Sequence, residues 1–136
     1  MKESFLFKDA FLINENKKDI AKELIEKFYK NEAKNYIFKR VERMAKRYNL
    51  KFNTVKINSA KRRWGSCSSK KSLNFSYRLI MAPKDVIDYV IIHELSHLTY
   101  MNHSKDFWNL VFQRAPNHED CENWLRLNYL KTLVHL

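Results

Sequence analysis

"PKDVIDYVIIHELSHLTYMNH", Pro83 to His103, places apolar side chains on almost every side of a helix: Val86, Ile87, Tyr89, Val90, Ile91, Ile92, Leu95 and Leu98. A helix that is apolar all round belongs inside a fold. Pro83 suits the start of such a helix, and Asp85 suits its first turn, where a carboxylate meets the positive end of the helix dipole. The same stretch carries His93, Glu94 and His97. Buried polar groups are costly unless partnered, so these three require partners.

His93 and His97 are four residues apart and project from one face about a turn apart. That span suits two nitrogens bound at about 2.0–2.1 Å to one tetrahedral zinc. Glu94, next in sequence, cannot fully share that face. It is expected beside the ion, where a carboxylate accepts a proton from water instead of ligating. A catalytic zinc takes a third protein ligand and keeps one position open. His103 is six residues past His97, so the helix is expected to stop near Tyr100 and turn back, with Asn102 suited to the left-handed conformation that ends many helices. His103 is the leading third ligand; Glu119, Glu122 and His118 are its rivals. A bare HExxH is common by chance, and here its weight comes from the buried helix and the third histidine within reach.

Upstream, Ile20, Leu24, Phe28, Ile37, Val41, Met44 and Tyr48 recur at steps of three and four, predicting an amphipathic helix from about Asn16 to Tyr48 with a break near Asn31. "FNTVKIN" and "LNFSYRLIM" read as strands, and "KRRWGSCSSKKS" between them as a strand and a polar turn. Gly65, the sole glycine of the chain, points to a bulge or a close backbone approach. Two helices follow, about Ser104 to Arg114, with Ser104 as its cap, and Asn117 to Lys131. The expected fold class is α+β: a long N-terminal helix, a small antiparallel sheet, the buried helix and a helical C-terminus, with residues 1–136 as one domain.

Composition narrows the classes. At 136 residues and 45% hydrophobic, the chain can bury a compact core, which argues against general disorder. No apolar run reaches the roughly 18–20 residues of a membrane span, and the N-terminus does not read as a secretory signal. Two cysteines, Cys67 and Cys121, do not require a disulfide framework, so a cytoplasmic setting is expected. The absence of a Gly-rich loop removes the phosphate-cradling folds.

The net charge of +11 is unevenly placed. Residues 30–63 hold twelve Lys/Arg against two Glu, whereas Met81 to the end is net −2. Lys39, Arg43, Lys46 and Arg47 on the long helix, with Arg62 and Arg63, are the candidate nucleic-acid contacts. A solvated helix face is the simpler account of the same charges.

"RWGSCSSKKSLNFSYRLIMAPKDVIDYVIIHELSHLTYMNHSKDFW" resembles the YgjP-like metallopeptidase family, kin to the SprT-like and WLM metallopeptidases. The resemblance is close over about residues 61–108. It implies a zincin-like fold, one zinc per chain, His93, His97 and His103 as ligands, and Glu94 as catalytic acid/base. The N-terminal part is shorter than in typical members, so a reduced or altered sheet is expected. Ser96 stands where alanine is more usual. Metzincins have glycine at the position of Tyr100 and a later methionine, and YbeY-like proteins have glycine at the position of Glu94; this chain has neither pattern. By analogy with zincins, the strand at Trp64, Gly65, Ser66 and Cys67 borders the cleft and pairs with extended substrate. Trp64 as a core residue, or as a stacking platform for nucleic-acid bases, is the competing reading. Phe107 and Trp108 read as core aromatics that fix the His103 loop. Tyr77, Arg78, Tyr100 and His118 are candidate oxyanion stabilisers.

The expected function is a zinc-dependent metalloendopeptidase acting on protein or peptide substrates, with nucleic acid as a candidate partner through the basic 30–63 segment and no membrane partner. A nucleic-acid-binding protein with structural zinc and a zinc-dependent nuclease are the alternatives.

Overall fold

The computed structural model describes residues 15–134. Helix α1 (Glu15–Arg47) runs unbroken past Asn31, correcting the expected interruption. Its 33 residues contain no Gly or Pro to break the ladder. Ala33, Ile37, Val41, Met44 and Ala45 form its buried stripe, while Ile20, Leu24 and Phe28 remain exposed. The helix ends on Asn49, at φ 55°. There Asn49 N–H donates to the Lys46 carbonyl and Leu50 N–H to the Ala45 carbonyl. Those two bonds satisfy carbonyls that a helix end leaves open, with Asn in the role glycine usually takes.

Strands β1 (Thr54–Asn58), β2 (Gly65–Cys67) and β3 (Ser72–Ser76) form one sheet in the order β1-β3-β2. β2 and β3 are antiparallel, but β1 pairs with β3 in parallel, Val55 opposite Leu73 and Ile57 opposite Phe75. The sheet is therefore mixed, correcting the expected antiparallel one. The chain leaving β1 does not turn back in a hairpin; it crosses to the far edge of β3. Ser76 Oγ donates to the Ala60 carbonyl at 2.8 Å, and Arg78 Nη1 donates to the carbonyls of Ser59 and Ala60. "LNFSYRLIM" is correspondingly not one strand. It bends at Ser76, whose hydroxyl accepts from Arg78 N–H and opens a 3-10 turn, Tyr77–Met81.

Helix α2 (Lys84–Ser96) lies at the centre, with Leu95 and Ile91 fully buried. Arg40 on α1 grips Asp88 with two hydrogen bonds, Nε to Oδ1 at 2.9 Å and Nη2 to Oδ2 at 2.8 Å, setting one helix against the other. Helices α3 (Lys105–Arg114) and α4 (His118–Val134) cover the remaining side through Phe107, Val111 and Cys121. The Ser104 side chain accepts from Phe107 N–H, capping α3 as expected. Ser96 is fully buried: its Oγ donates to the Ile92 carbonyl and accepts from Arg114 Nη1 at 3.3 Å, joining α2 to α3. Among the described residues, no helix is long and apolar enough to cross a membrane.

Candidate metal centre

After Ser96 the backbone ladder of α2 tightens. His97, Leu98 and Thr99 N–H groups bond to the carbonyls of Glu94, Leu95 and Ser96, three residues back. This tighter turn ends the helix. Neither Asn102 nor any other residue of the turn has positive φ, correcting the expected left-handed cap. The chain then doubles back and delivers His103 to the two helical histidines. Donor atoms of His93, His97 and His103 all lie within 4.8 Å of one another. Nitrogens this close would need only small side-chain rotations to share one ion at about 2.0–2.1 Å, so the residues fit a metal.

The surroundings set the donor atoms. His97 Nδ1 donates to the Tyr100 carbonyl at 3.0 Å, leaving Nε2 with its lone pair. His93 Nδ1 lies 3.1 Å from Glu94 Oε2, which gives the same division of roles. Burial is the main cause lowering the His97 pKa, and the neutral imidazole it favours is the form a metal requires. Phe107 stacks on His97, ring centroids 4.3 Å apart, and Trp108 stacks on His103 at 5.7 Å. These two aromatics hold the third histidine in place, as the sequence suggested.

Glu94 is 6% exposed and outside the converging donor set. It lines a cleft of about 300 Å³ beside His93. One wall is β2 with its approach (Arg63, Trp64, Gly65), the floor is α2 (Tyr89, Val90, His93, Glu94), and the far wall is α4 (Glu122, Leu125). Gly65 marks a close approach as expected, because its backbone rests against Glu94 and Phe75. Ser66 and Cys67 are half-buried in the same edge strand. Burial, followed by the nearby Glu94, pushes the Cys67 thiol up to about 11.

The rival third ligands are placed elsewhere. Glu119 is exposed, and His118 stacks on Phe112 at 3.9 Å. Glu122 accepts a 2.7 Å hydrogen bond from the Tyr89 hydroxyl. None of the four suggested oxyanion residues lines the cleft. Arg78 is engaged with the crossover loop and sits 4.8 Å over the Tyr77 ring, and Tyr100 serves through its backbone carbonyl.

The basic residues divide into two groups. Lys39 and Arg43 line a depression on α1 with Asn35, Tyr36 and Arg40, while Lys46, Arg47 and Arg62 are exposed. Arg63 belongs to the cleft beside Glu94 and does not line the α1 depression. Sequence reasoning missed Tyr89 and Val90 as cleft residues, although positions three and four before His93 share its helical face. It weighed Glu122 only as a ligand. Leu125 carried no local signal.

A mixed helix–sheet fold with three histidines converging beside a buried carboxylate defines a protein able to hold a metal ion next to an acid. The chain belongs to the YgjP-like metallopeptidase family: the family model described as "YgjP-like, metallopeptidase domain" matches residues 7–128. A search of curated proteins finds no match. Among solved structures it is similar to the metallopeptidase zymogen abylysin of Pyrococcus abyssi, with a TM-score of 0.60 and 19% identity over 68% of this chain and 93% of that one. At that identity the likeness is one of fold.

Proposed function

We propose that the protein is a zinc-dependent endopeptidase of zincin type. The observation that carries this reading is the convergence of His93, His97 and His103 with Glu94 held beside them but outside the donor set. His93, His97 and His103 would hold the zinc. When bound, zinc supplies Lewis acidity that makes water acidic near neutral pH and polarises the scissile carbonyl. Glu94 accepts the proton of the attacking water on its carboxylate and returns it to the leaving amine. The β2 edge, Gly65–Cys67 with Trp64 before it, offers open backbone groups to an extended peptide, which orients the scissile bond over Glu94.

Two free cysteines, Cys67 and Cys121, accord with a reducing, cytoplasmic setting. The exposed Lys39, Arg43, Lys46 and Arg47 support a second element, a peptidase that works near nucleic acid. A structural-zinc protein is less favoured, because a closed structural site has no use for a buried carboxylate beside the ligands. A zinc-dependent nuclease is the alternative that the nucleic-acid arms of the test address.

Metal analysis of the purified protein, followed by casein and peptide cleavage with and without DNA or RNA, tests this reading. Glu94→Gln should retain zinc and fold while losing hydrolysis. A folded and active Glu94→Gln protein overturns the mechanism, and loss of zinc in that variant makes Glu94 a ligand.

A further inference from the structure

The cleft beside His93 and Glu94 has a polar end that the proposed hydrolysis does not use. Glu122, on α4, lines it from the wall opposite β2. The Tyr89 hydroxyl donates to Glu122 Oε1 at 2.7 Å, which fixes the carboxylate without neutralising it. Burial, then the Glu122 bond, raises the Tyr89 pKa, so this donor keeps its proton at any ordinary pH. The Glu122 side chain remains 43% exposed, and no hydrogen bond among the described residues engages its Oε2. His118 Nδ1 lies 3.8 Å from Oε1, longer than a hydrogen bond. Between Glu122 and the β2 edge the walls are apolar and aromatic: Trp64, backed by Trp124 at 6.2 Å, with Val90, Leu125 and the Tyr89 ring.

We infer that Glu122 makes this cleft selective for a lysine or arginine side chain next to the cleaved bond, a specificity that rests on the peptidase reading above. An apolar, aromatic-walled channel ending in an oriented carboxylate suits these side chains. Their methylene stems pack along the walls, aromatic faces attract the cation, and Oε2 accepts a charge-assisted hydrogen bond. Arg63, also on the cleft, is a side chain that would favour an acidic residue. It is exposed and makes no ion pair among the described residues, so nothing fixes its orientation. Glu122, held by Tyr89 from the floor, is the oriented charge.

The test has a binding arm and a cleavage arm. Peptides identical except for Lys, Arg, Leu or Glu at one varied position are titrated against zinc-loaded Glu94→Gln protein, read by tryptophan fluorescence. The same peptides are offered to the wild type, with cleavage sites mapped by mass spectrometry. Lys and Arg peptides should bind, and be cleaved beside the basic residue, about tenfold or more better than Leu peptides, the scale of one charge-assisted hydrogen bond. Adding Glu122→Gln should bring both ratios towards one, and Tyr89→Phe should lower them partway. Adding Glu122→Lys should turn the preference towards Glu peptides. A basic preference that survives Glu122→Gln overturns the inference, as does an acidic preference lost in Arg63→Gln or equal binding of all four peptides. Selective, Glu122-dependent binding without cleavage of any peptide by the wild type sustains the cleft assignment and counts against the peptidase reading alone.

Discussion

Gly65 and Glu94 are packed so closely that a Cβ on Gly65 would lie 3.1 Å from Glu94 Cγ. Gly65 has no positive φ, so the position needs glycine for space and not for backbone freedom. The edge strand thereby acts as a backstop that sets where the carboxylate stands relative to the histidines.

Gly65→Ala should therefore act on Glu94 as well as on stability. The added methyl group also meets Phe75 Cδ1 at 3.1 Å and the Asn74 carbonyl oxygen at 3.3 Å, so the edge strand and the Glu94 side chain must shift apart. Overpacking of this kind costs about 1–3 kcal/mol. A displacement of a few tenths of an ångström should lower kcat on the order of tenfold, less than the roughly 10²-fold of a full ångström. Thermal melts and kinetics on zinc-loaded protein check this. Unaltered kcat would mean that Glu94 is positioned by its own helix alone.

His103→Ala should weaken zinc binding by more than the roughly 10–100-fold typical of losing a group that merely supports a ligand. Because bound metal stabilises the folded state, the melting temperature in the presence of zinc should fall with it. Glu119→Gln and Glu122→Gln should retain zinc. The opposite pattern, measured by metal content after dialysis, would give the third position to an acid.

The Cys67 thiol should resist alkylation at neutral pH. With its pKa pushed up to about 11, the thiolate fraction at pH 7 is on the order of 10⁻⁴. Cys121 is fully buried and raised to about 11 as well. Iodoacetamide labelling followed by mass spectrometry should be slow at pH 7 and accelerate towards pH 11. The same shifts bear on stability. An unfolded thiol loses its proton near 9.0, before the folded one, so the contribution of the neutral thiols is full below that pH and is lost between about 9 and 11. Rapid labelling of native protein at pH 7 would contradict this placement.

Lys39→Glu, Arg43→Glu and Lys46→Glu together should weaken binding to duplex and single-stranded nucleic acid while leaving cleavage of a free peptide unaffected. Wild-type affinity should fall steeply with salt, with a log–log slope of about −0.9 per duplex phosphate contact. Absence of binding at low salt would reduce the α1 face to solvated surface. Binding that is undiminished in the triple variant would place the contact elsewhere, at residues 61–64.

Much of the centre is readable because its determinants are local. His93 and His97 share a face through helical spacing alone, and a short stop brings His103 back within a few residues. Ser104 caps the next helix through its own neighbours, and Gly65 announces a close approach. What the sequence does not disclose depends on contacts between distant residues. The parallel pairing of β1 with β3 is accompanied by bonds from Ser76 and Arg78 to the carbonyls of Ser59 and Ala60, some sixteen to nineteen residues back. The buried place of Ser96 depends on Arg114, and the orientation of Glu122 on Tyr89, 33 residues away. Periodicity reports which face of an element is apolar; which distant side chain meets that face is decided only when burial of the shared core brings the elements together, and the cleft wall facing Glu94 is made at that step.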